Sequence, residues 1–125
     1  MGKISCDILV VDDEVNMCNI VSRMLESEGY SVRTACDGKR ALQLTKEKEP
    51  DLILLDIMMP GINGREVCQI VREFSPETRI IYFTAKVEAD PQKLKELHSE
   101  ADAFITKPAT ARQILSKVSS VLNKE

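Results

Sequence analysis

Asp7-Ile-Leu-Val-Val-Asp-Asp13 places four apolar residues directly before two aspartates, and Asp51-Leu-Ile-Leu-Leu-Asp56 repeats the pattern further along the chain. Short, continuously apolar runs of this kind predict strands that are covered on both faces. A third continuous run lies at 79–84, and shorter runs at 31–35 and 103–106 complete a set of five. The sequence therefore predicts a buried sheet rather than one with a face in water.

Amphipathic stretches separate these runs and predict helices. In the last stretch one face is shared by Ala111, Ile114, Leu115, Val118, Val121 and Leu122. Thr110 and Gln113 have the spacing of a capping box at its start. Strand and helix thus alternate five times, and right-handed crossovers place helices on both faces of the sheet. We expect an α/β fold: a doubly wound five-stranded parallel sheet, strand order 2-1-3-4-5, in a three-layer sandwich.

Length and composition limit the class of protein. The 125 residues predict a single domain over 1–125, with a core at about 7–123. Apolar runs do not exceed four residues, which argues against a membrane span, and the lack of a signal peptide favours the cytoplasm. The net charge is −3, so nucleic acid is not expected as a direct partner.

The cysteines and the single histidine form no recognisable motif. Cys6, Cys18, Cys36 and Cys68 lack Cys-x-x-Cys spacing, so no zinc site is expected. Because nothing indicates export, we predict free, buried thiols that act as small apolar residues. His98 stands in a charged stretch and is predicted to be a solvated helix residue.

Polar residues stand at the ends of the predicted strands. They are Asp12 and Asp13 after the first strand, Asp56 after the third, Thr84 ending the fourth and Lys107 after the fifth. Ligands of such sheets bind beyond these ends, where the winding direction reverses. Three carboxylates in one crevice need a compensating cation, and oxygen ligands favour Mg²⁺. Each residue has an ordinary alternative, such as a helix N-cap for Asp13, but their joint placement favours a site.

These groups suit phosphoryl chemistry. Asp56 is predicted to attack phosphorus and form an acyl phosphate, while Mg²⁺ neutralises the transferring oxygens. Thr84 would donate to one phosphoryl oxygen and Lys107 would pair with another. Nothing else in the sequence would activate water strongly, so the acyl phosphate would persist, as a signal requires.

In these residues the chain resembles the receiver domains of two-component response regulators, a CheY-like family with the flavodoxin-like (βα)5 fold. The segments that carry the resemblance are 9–14, 54–61, 83–85 and 101–108. The resemblance implies that Asp56 is the phosphoacceptor and that Lys107 pairs with its phosphate. It also implies that Mg²⁺ is held by Asp12, Asp13, Asp56 and the backbone carbonyl of Met58.

The resemblance further implies a switch. Thr84 would be the switch hydroxyl, and Phe104 would be the aromatic that moves inward on activation. Met58 and Lys86 occupy the positions that modulate phosphate lifetime in the family. An apolar Met58 should not orient an attacking water, whereas Lys86 could contact the phosphoryl group.

The chain also departs from the family pattern. Glu100 replaces a usual glycine, Ala109 replaces a usual phenylalanine, and Asn63 stands where aspartate is common. None of these positions carries the predicted chemistry. The Lys107-Pro108 peptide bond is expected to be cis, as in the family.

The partners follow from the resemblance. A sensor histidine kinase or a phosphotransfer protein would supply the phosphoryl group from a phosphohistidine. The face made by the fourth helix, fifth strand and fifth helix would then bind a downstream output protein or a covalently following effector domain. Phosphorylation-dependent homodimerisation would use the same region, and neither nucleic acid nor membrane is an expected partner. The chain is predicted to be a switch that gains and loses its own phosphate, not a turnover enzyme.

Three other functions are also compatible with the sequence. A Mg²⁺-dependent aspartyl phosphatase or phosphotransferase would use the same nucleophile, but such enzymes carry a second acid where this chain has Met58. A flavodoxin-like nucleotide carrier would need a phosphate-binding loop after the first strand, where this chain has Asp12-Asp13-Glu14. A degenerate receiver would act as a phosphate-independent binding module, which the intact acidic set argues against.

Overall fold

Strands and helices alternate throughout the computed structural model, which describes residues 6–85 and 91–123. The elements are β1 (Asp7–Val11), α1 (Val15–Glu26), β2 (Ser31–Ala35), α2 (Gly38–Glu47), β3 (Leu52–Leu55), α3 (Gly64–Phe74), β4 (Arg79–Ala85), α4 (Pro91–Glu100), β5 (Ala103–Lys107) and α5 (Ala111–Leu122). All strand pairs are parallel, and the strand order is β2-β1-β3-β4-β5. The predicted doubly wound α/β fold is confirmed. None of these helices is long and apolar enough to cross a membrane.

The sheet is covered on both faces, as its continuous apolar runs predicted. Along β1, Leu9 and Val11 face a core cluster that α2, α3 and α4 complete, while Ile8 and Val10 face a second cluster completed by α1 and α5. Full burial of such a side chain contributes about 1.5–3 kcal/mol. Both faces are therefore committed to packing, and polar chemistry is confined to the ends of the strands.

Two helices begin with the same side-chain arrangement. Thr110 and Gln113 form the predicted capping box of α5, and Asn63 and Glu66 form a second box at the start of α3. In each box the two side chains satisfy backbone N–H groups that lack a partner within the helix. Both boxes follow loops at the carboxyl ends of strands, so they fix the helix starts that surround this edge of the sheet.

The opposite edge of the sheet is held by a shared guanidinium. Arg33 on β2 donates to Asp7 Oδ2 on β1 at 2.9 Å. It also donates to the carbonyl oxygens of Leu44 and Lys48, at 2.9 and 2.8 Å, where α2 ends. Because these carbonyls carry the negative end of the helix dipole, a cation is favoured here. One side chain thus joins two strands to the end of a helix.

The cysteines only partly follow the prediction. Cys18 and Cys68 are buried, Cys6 is half-buried, and no cysteine forms a disulfide within the described residues. The prediction of a buried thiol is wrong for Cys36, which is exposed because it lies beyond the end of the edge strand β2. His98 is exposed on α4, as predicted.

Candidate functional site

Three carboxylates meet at the carboxyl end of the sheet. Asp12 and Asp13 follow β1, and Asp56 follows β3, the strand that pairs with β1. The Asp56 N–H donates to Val11 O at 2.9 Å, which extends the β1–β3 pairing to the site itself. One oxygen from each carboxylate lies within 4.8 Å of the others. The predicted convergence of these three residues is therefore present.

The three carboxylates differ in their surroundings. Asp12 and Asp56 are buried, whereas Asp13 is exposed. The ordinary alternative for Asp13, a helix N-cap, is not observed, because Asp13 does not cap α1. Glu14 is the N-cap residue, and its N–H is already bonded to Asp12 Oδ1 at 2.9 Å. Asp13 is thus free of a helix role and stands at the open side of the cluster.

Lys107 supplies the positive charge inside this cluster. Its Nζ lies 2.5 Å from Asp12 Oδ2 and 3.6 Å from Asp56 Oδ2, and it sits over the Phe83 ring. Burial alone would lower the pKa of Lys107, but the hydrogen bond to Asp12 and the nearby carboxylate charges leave that pKa raised. The Lys107-Pro108 bond is cis, as predicted. Lys107 is therefore a held cation, placed between the two buried carboxylates.

The environment of Asp56 disfavours the ionised form of its carboxyl. Burial raises the pKa of its carboxyl and the Asp12 charge adds to this, while Lys107 and the Met58 N–H, 3.2 Å from Oδ1, oppose it. The net effect is a raised pKa. The ionised carboxylate is consequently held in an environment that favours its neutralisation by a cation or by covalent modification.

Thr84 ends up beside Asp56 with unused hydrogen-bonding capacity. It lies at the end of β4, is fully buried, and its Oγ1 meets no partner at hydrogen-bonding geometry within the described residues. The hydroxyl is close enough to Asp56 to make a small contribution that lowers the pKa of that carboxyl. A buried hydroxyl without a full hydrogen bond costs free energy. Thr84 is therefore a donor available to an oxygen that arrives at Asp56.

The backbone around Asp56 is fixed by the start of α3. The Gly64 N–H donates to Ile57 O at 3.0 Å. A Cβ at Gly64 would lie 2.2 Å from the Asp56 carbonyl oxygen and 2.7 Å from Ile57 Cα. Glycine is thus required sterically, because helix α3 is packed directly on the loop that carries Asp56. This requirement is not evident from the sequence pattern alone.

A buried thiol on α1 is hydrogen-bonded to the backbone of Asp12. Cys18 Sγ donates to the backbone carbonyl of Asp12 at 3.3 Å and lies 3.8 Å from Ala35 O. Burial raises the pKa of Cys18 to about 11, so the group is a neutral thiol with a proton to donate. This contact ties the second turn of α1 to the residue that follows β1.

The predicted switch aromatic lies outside the acidic cluster. Phe104 on β5 is half-buried, with its ring edge-on to Tyr82 at 6.3 Å and stacked on His98 at 5.3 Å between centroids. Tyr82 and Thr84 are two residues apart on β4 and so point to the same face of the sheet. Phe104 lies opposite Tyr82 and therefore packs on the face that also bears Thr84, two residues further from the strand end.

Glu100 forms a network that the sequence did not predict. The Arg65 guanidinium on α3 binds both carboxylate oxygens of Glu100, and the Tyr82 hydroxyl donates to Glu100 Oε1 at 2.8 Å. The Arg65 hydrogen bonds, followed by the Tyr82 bond, lower the pKa of Glu100 despite partial burial. The sequence shows that Glu100 replaces a usual glycine. It does not show the partners of Glu100, because Arg65 and Tyr82 lie 35 and 18 residues away in the chain. The network links α3, β4 and the end of α4.

The site therefore contains most of the predicted residues. Asp12, Asp13, Asp56 and Lys107 converge, with Thr84 adjacent. The Met58 side chain is 71% exposed and only its backbone faces Asp56. Lys86, the other position linked to phosphate lifetime, lies outside the described residues. The clustered carboxylate oxygens form a hard, anionic donor set that fits a cation such as Mg²⁺.

Fold and site together define a doubly wound α/β sandwich with an acidic centre at the switch point of its sheet. The family model for the response regulator receiver domain matches residues 8–119. The chain belongs to this family, the receiver domains of two-component systems.

Solved structures agree with this assignment. The beryllofluoride-activated DrrB receiver domain is 31% identical, with a TM-score of 0.84, and the match covers 97% of this chain and all of the other. A CheY-like receiver domain protein from Methanospirillum hungatei is 28% identical with a TM-score of 0.88, over 96% and 95% of the two chains. NtrX from Brucella abortus is 29% identical with a TM-score of 0.85 over 95% of this chain, which corresponds to 27% of the NtrX chain.

Proposed function

We propose that this receiver domain accepts a phosphoryl group on Asp56 from a phosphohistidine of a sensor histidine kinase or phosphotransfer protein. The observation that carries the proposal is the environment of Asp56, a buried carboxylate with a raised pKa. It lies 3.6 Å from Lys107 Nζ and beside the unpartnered Thr84 hydroxyl. These two donors stand where the oxygens of a phosphoryl group on Asp56 would need partners.

The chemical step is a transfer between two nucleophiles. A carboxylate oxygen of Asp56 forms a bond to phosphorus, and the bond from phosphorus to the imidazole nitrogen breaks. The imidazole keeps the electron pair and, because its other ring nitrogen carries a proton, is released as neutral histidine. No general base is needed because Asp56 attacks as the carboxylate.

We propose that Mg²⁺ is held by Asp12, Asp13, Asp56 and the backbone carbonyl of Met58. When bound, Mg²⁺ neutralises charge on the transferring phosphoryl oxygens. Asp13, exposed at the open side of the cluster, is the carboxylate through which a hydrated ion would enter. The positive charge of Lys107 offsets the repulsion between the Asp12 and Asp56 carboxylates. The same charge would pair with an oxygen of the phosphoryl group.

The phosphorylated state is proposed to differ at the face formed by α4, β5 and α5. Thr84 and Lys107 would turn toward the new phosphoryl oxygens. The doubly charged phosphoryl group is a stronger hydrogen-bond acceptor for these two side chains than any group now present. Movement of Thr84 would open space on the sheet face that it shares with Tyr82, and Phe104 would fill it. The altered face would then bind an output protein, a covalently following effector domain, or a second phosphorylated copy.

The same geometry favours a switch over a turnover enzyme. The exposed Met58 side chain has no group that could orient water toward Asp56. Hydrolysis would thus depend on the chain's other residues, among which Lys86 remains a proposed contact. We propose that the domain gains and loses one phosphoryl group per signalling event and has no separate substrate.

Phosphorylation of Asp56 can be tested with small-molecule donors. Incubation with Mg²⁺ and acetyl phosphate should give one phosphoryl adduct by mass spectrometry, and beryllofluoride with Mg²⁺ should raise the thermal melting temperature. Asp56→Asn should abolish both. Asp37→Asn is the matched control, because asparagine caps α2 as well as the Asp37 side chain does.

The outcomes separate the alternatives. An adduct that survives in Asp56→Asn would overturn the assignment. A wild-type protein that releases phosphate from a phosphomonoester over many turnovers would instead be an aspartyl phosphatase. A protein that binds neither Mg²⁺ nor beryllofluoride would be a phosphate-independent binding module.

A further inference from the structure

Two cysteines lie next to the acidic cluster, and the proposed phosphoryl chemistry does not use them. Cys18 on α1 and Cys36 after β2 are free thiols, one buried and one exposed. They are 18 residues apart in sequence but meet at the carboxyl end of the β1–β2 pair. After burial, the neighbouring Cys36 thiol is the next cause that raises the pKa of Cys18.

Strand geometry accounts for this contact independently. Side chains alternate along β2, so Cys36 points to the same sheet face as Val32. Val32 packs on the cluster that contains Cys18. Cys18 Sγ also lies 3.8 Å from Ala35 O, the carbonyl of the residue that precedes Cys36. Both thiols are therefore on the α1 side of the sheet, at the same level.

We propose that Cys18 and Cys36 form an intramolecular disulfide when the protein meets a peroxide, and that this bond weakens Mg²⁺ binding at the Asp12 cluster. The second half of the proposal rests on the proposed function, whereas the first half does not.

The position of Cys36 suits the oxidation. It is exposed, so peroxide can reach its sulfur, and it lies between the last residue of β2 and the first residue of α2. Its backbone can therefore adjust without breaking strand or helix hydrogen bonds. In a reducing compartment, a disulfide of this kind would be transient and regulatory rather than structural.

The chemistry balances with hydrogen peroxide as the oxidant. The Cys36 sulfur attacks one peroxide oxygen, the O–O bond breaks, and a sulfenic acid and water result. The Cys18 sulfur then attacks the Cys36 sulfur, the S–O bond breaks, and a second water leaves. Two thiols lose two electrons and two protons, and one peroxide is reduced to two waters.

The consequence for the acidic cluster follows from one hydrogen bond. The Cys18 thiol donates to the backbone carbonyl of Asp12 at 3.3 Å. A disulfide sulfur carries no hydrogen, so the bond is lost, and Cys18 is drawn toward Cys36. Groups that orient a metal ligand change metal affinity by about 10–100-fold when removed. We expect the lower end, about tenfold weaker Mg²⁺ binding, because the contact is to the backbone of Asp12.

The disulfide is tested by mass spectrometry of peroxide-treated protein. The intact mass should fall by about 2 Da. Trypsin without reductant should join residues 4–23 to residues 34–39, because Arg23, Arg33 and Lys39 are cleavage sites. Residues 4–23 also contain Cys6. The matched variant Cys6→Ser must therefore keep the joined peptides, and Cys36→Ser must lose them.

Coupling to the metal site is tested by calorimetric Mg²⁺ titration of the reduced and oxidised forms. Oxidised wild type and Cys6→Ser should bind about tenfold more weakly, and dithiothreitol should restore the affinity. Cys36→Ser should bind Mg²⁺ equally before and after peroxide. Cys18→Ala, which lacks the donor and cannot form the bond, should bind weakly under both conditions.

Each failure has a distinct meaning. Loss of the joined peptides in Cys6→Ser, or a disulfide-linked dimer without an internal bond, would overturn the pairing. An internal Cys18–Cys36 bond with unchanged Mg²⁺ affinity would overturn the coupling. Absence of Mg²⁺ binding by the reduced wild type would refute the proposed function while leaving the disulfide to be judged by mass alone.

Discussion

Replacement of Gly64 by alanine should damage the fold and the site together. A Cβ at this position would stand 2.2 Å from the Asp56 carbonyl oxygen, whereas real Cβ atoms essentially never approach closer than 3.0 Å. The difference requires a displacement of at least about 0.8 Å between the start of α3 and the Asp56 loop. The obstacle is backbone, so no side-chain rotation relieves it.

The cost can be assembled from its parts. Overpacking of this kind costs about 1–3 kcal/mol, and weakening the Gly64 hydrogen bond to Ile57 adds roughly 0.5–1.5 kcal/mol. Alanine restricts the unfolded chain and returns about 0.4–1 kcal/mol. Gly64→Ala should therefore lower the free energy of unfolding by about 2 kcal/mol.

Gly38→Ala is the matched control, since Gly38 also begins a helix. Its Cβ would lie 2.7 Å from Ile62 O, a smaller overlap, in contact with a loop residue instead of Asp56. We expect a smaller loss there, about 1 kcal/mol, at the low end of overpacking costs. Urea denaturation measures both variants, and the beryllofluoride-dependent rise in melting temperature reports on the site. It should shrink in Gly64→Ala and persist in Gly38→Ala. Equal stability and equal beryllofluoride response for the two variants would refute the steric argument.

Three further substitutions test the electrostatics. Asp56→Asn should raise the free energy of unfolding at pH 7 without Mg²⁺, because folding raises the pKa of the Asp56 carboxyl. A carboxyl of this kind destabilises the folded state once the pH is high enough to ionise it. The extra stability of Asp56→Asn over wild type should therefore vanish below about pH 4. Glu100→Gln should lower the unfolding free energy by about 1–2 kcal/mol at pH 7. The lowered pKa of Glu100 means that this difference is present above the unfolded value of 4.5 and shrinks as pH falls through the folded pKa, and a pH-independent loss would exclude the Arg65 ion pair as its source. Thr84→Val should leave urea stability unchanged or slightly higher, because the hydroxyl has no full hydrogen bond to lose, yet should remove most of the beryllofluoride-dependent stabilisation. Destabilisation of the unliganded protein would show that Thr84 has a partner.

The fold could be predicted because its signals are local. Runs such as 7–11 and 52–55 are continuously apolar, and a strand buried on both faces has no other simple explanation. The strand-end position of Asp12, Asp56 and Lys107 then follows from topology, since all strands of a parallel sheet point the same way. The sequence also contained the Asn63-to-Glu66 spacing of a capping box, a signal that could have been used.

The remainder depends on distances that no local pattern encodes. The partners of Glu100 come from two other elements, so only the folded chain brings them together. The requirement for Gly64 arises from a close approach between α3 and a distant loop. The exposure of Cys36 reflects its place beyond an edge strand, and its residue type alone argued for burial. The N-cap position of α1 at Glu14 is likewise not evident from the sequence, because Asp13 has the residue type that usually caps a helix.

The shared guanidinium of Arg33 has a consequence for how the protein opens. Among the described strands β2 is an edge strand and pairs with β1 alone, so amide exchange there would ordinarily outpace that of the inner strands. Arg33 bonds the end of α2 as well as Asp7, so fraying of β2 must release the helix terminus in the same event. We therefore expect the amides of β2 and the last turn of α2 to exchange as one cooperative unit. Its opening would carry Cys36 away from the sheet and release the Asp12 N–H from Ala35 O, while the β1–β3 pairing stays closed.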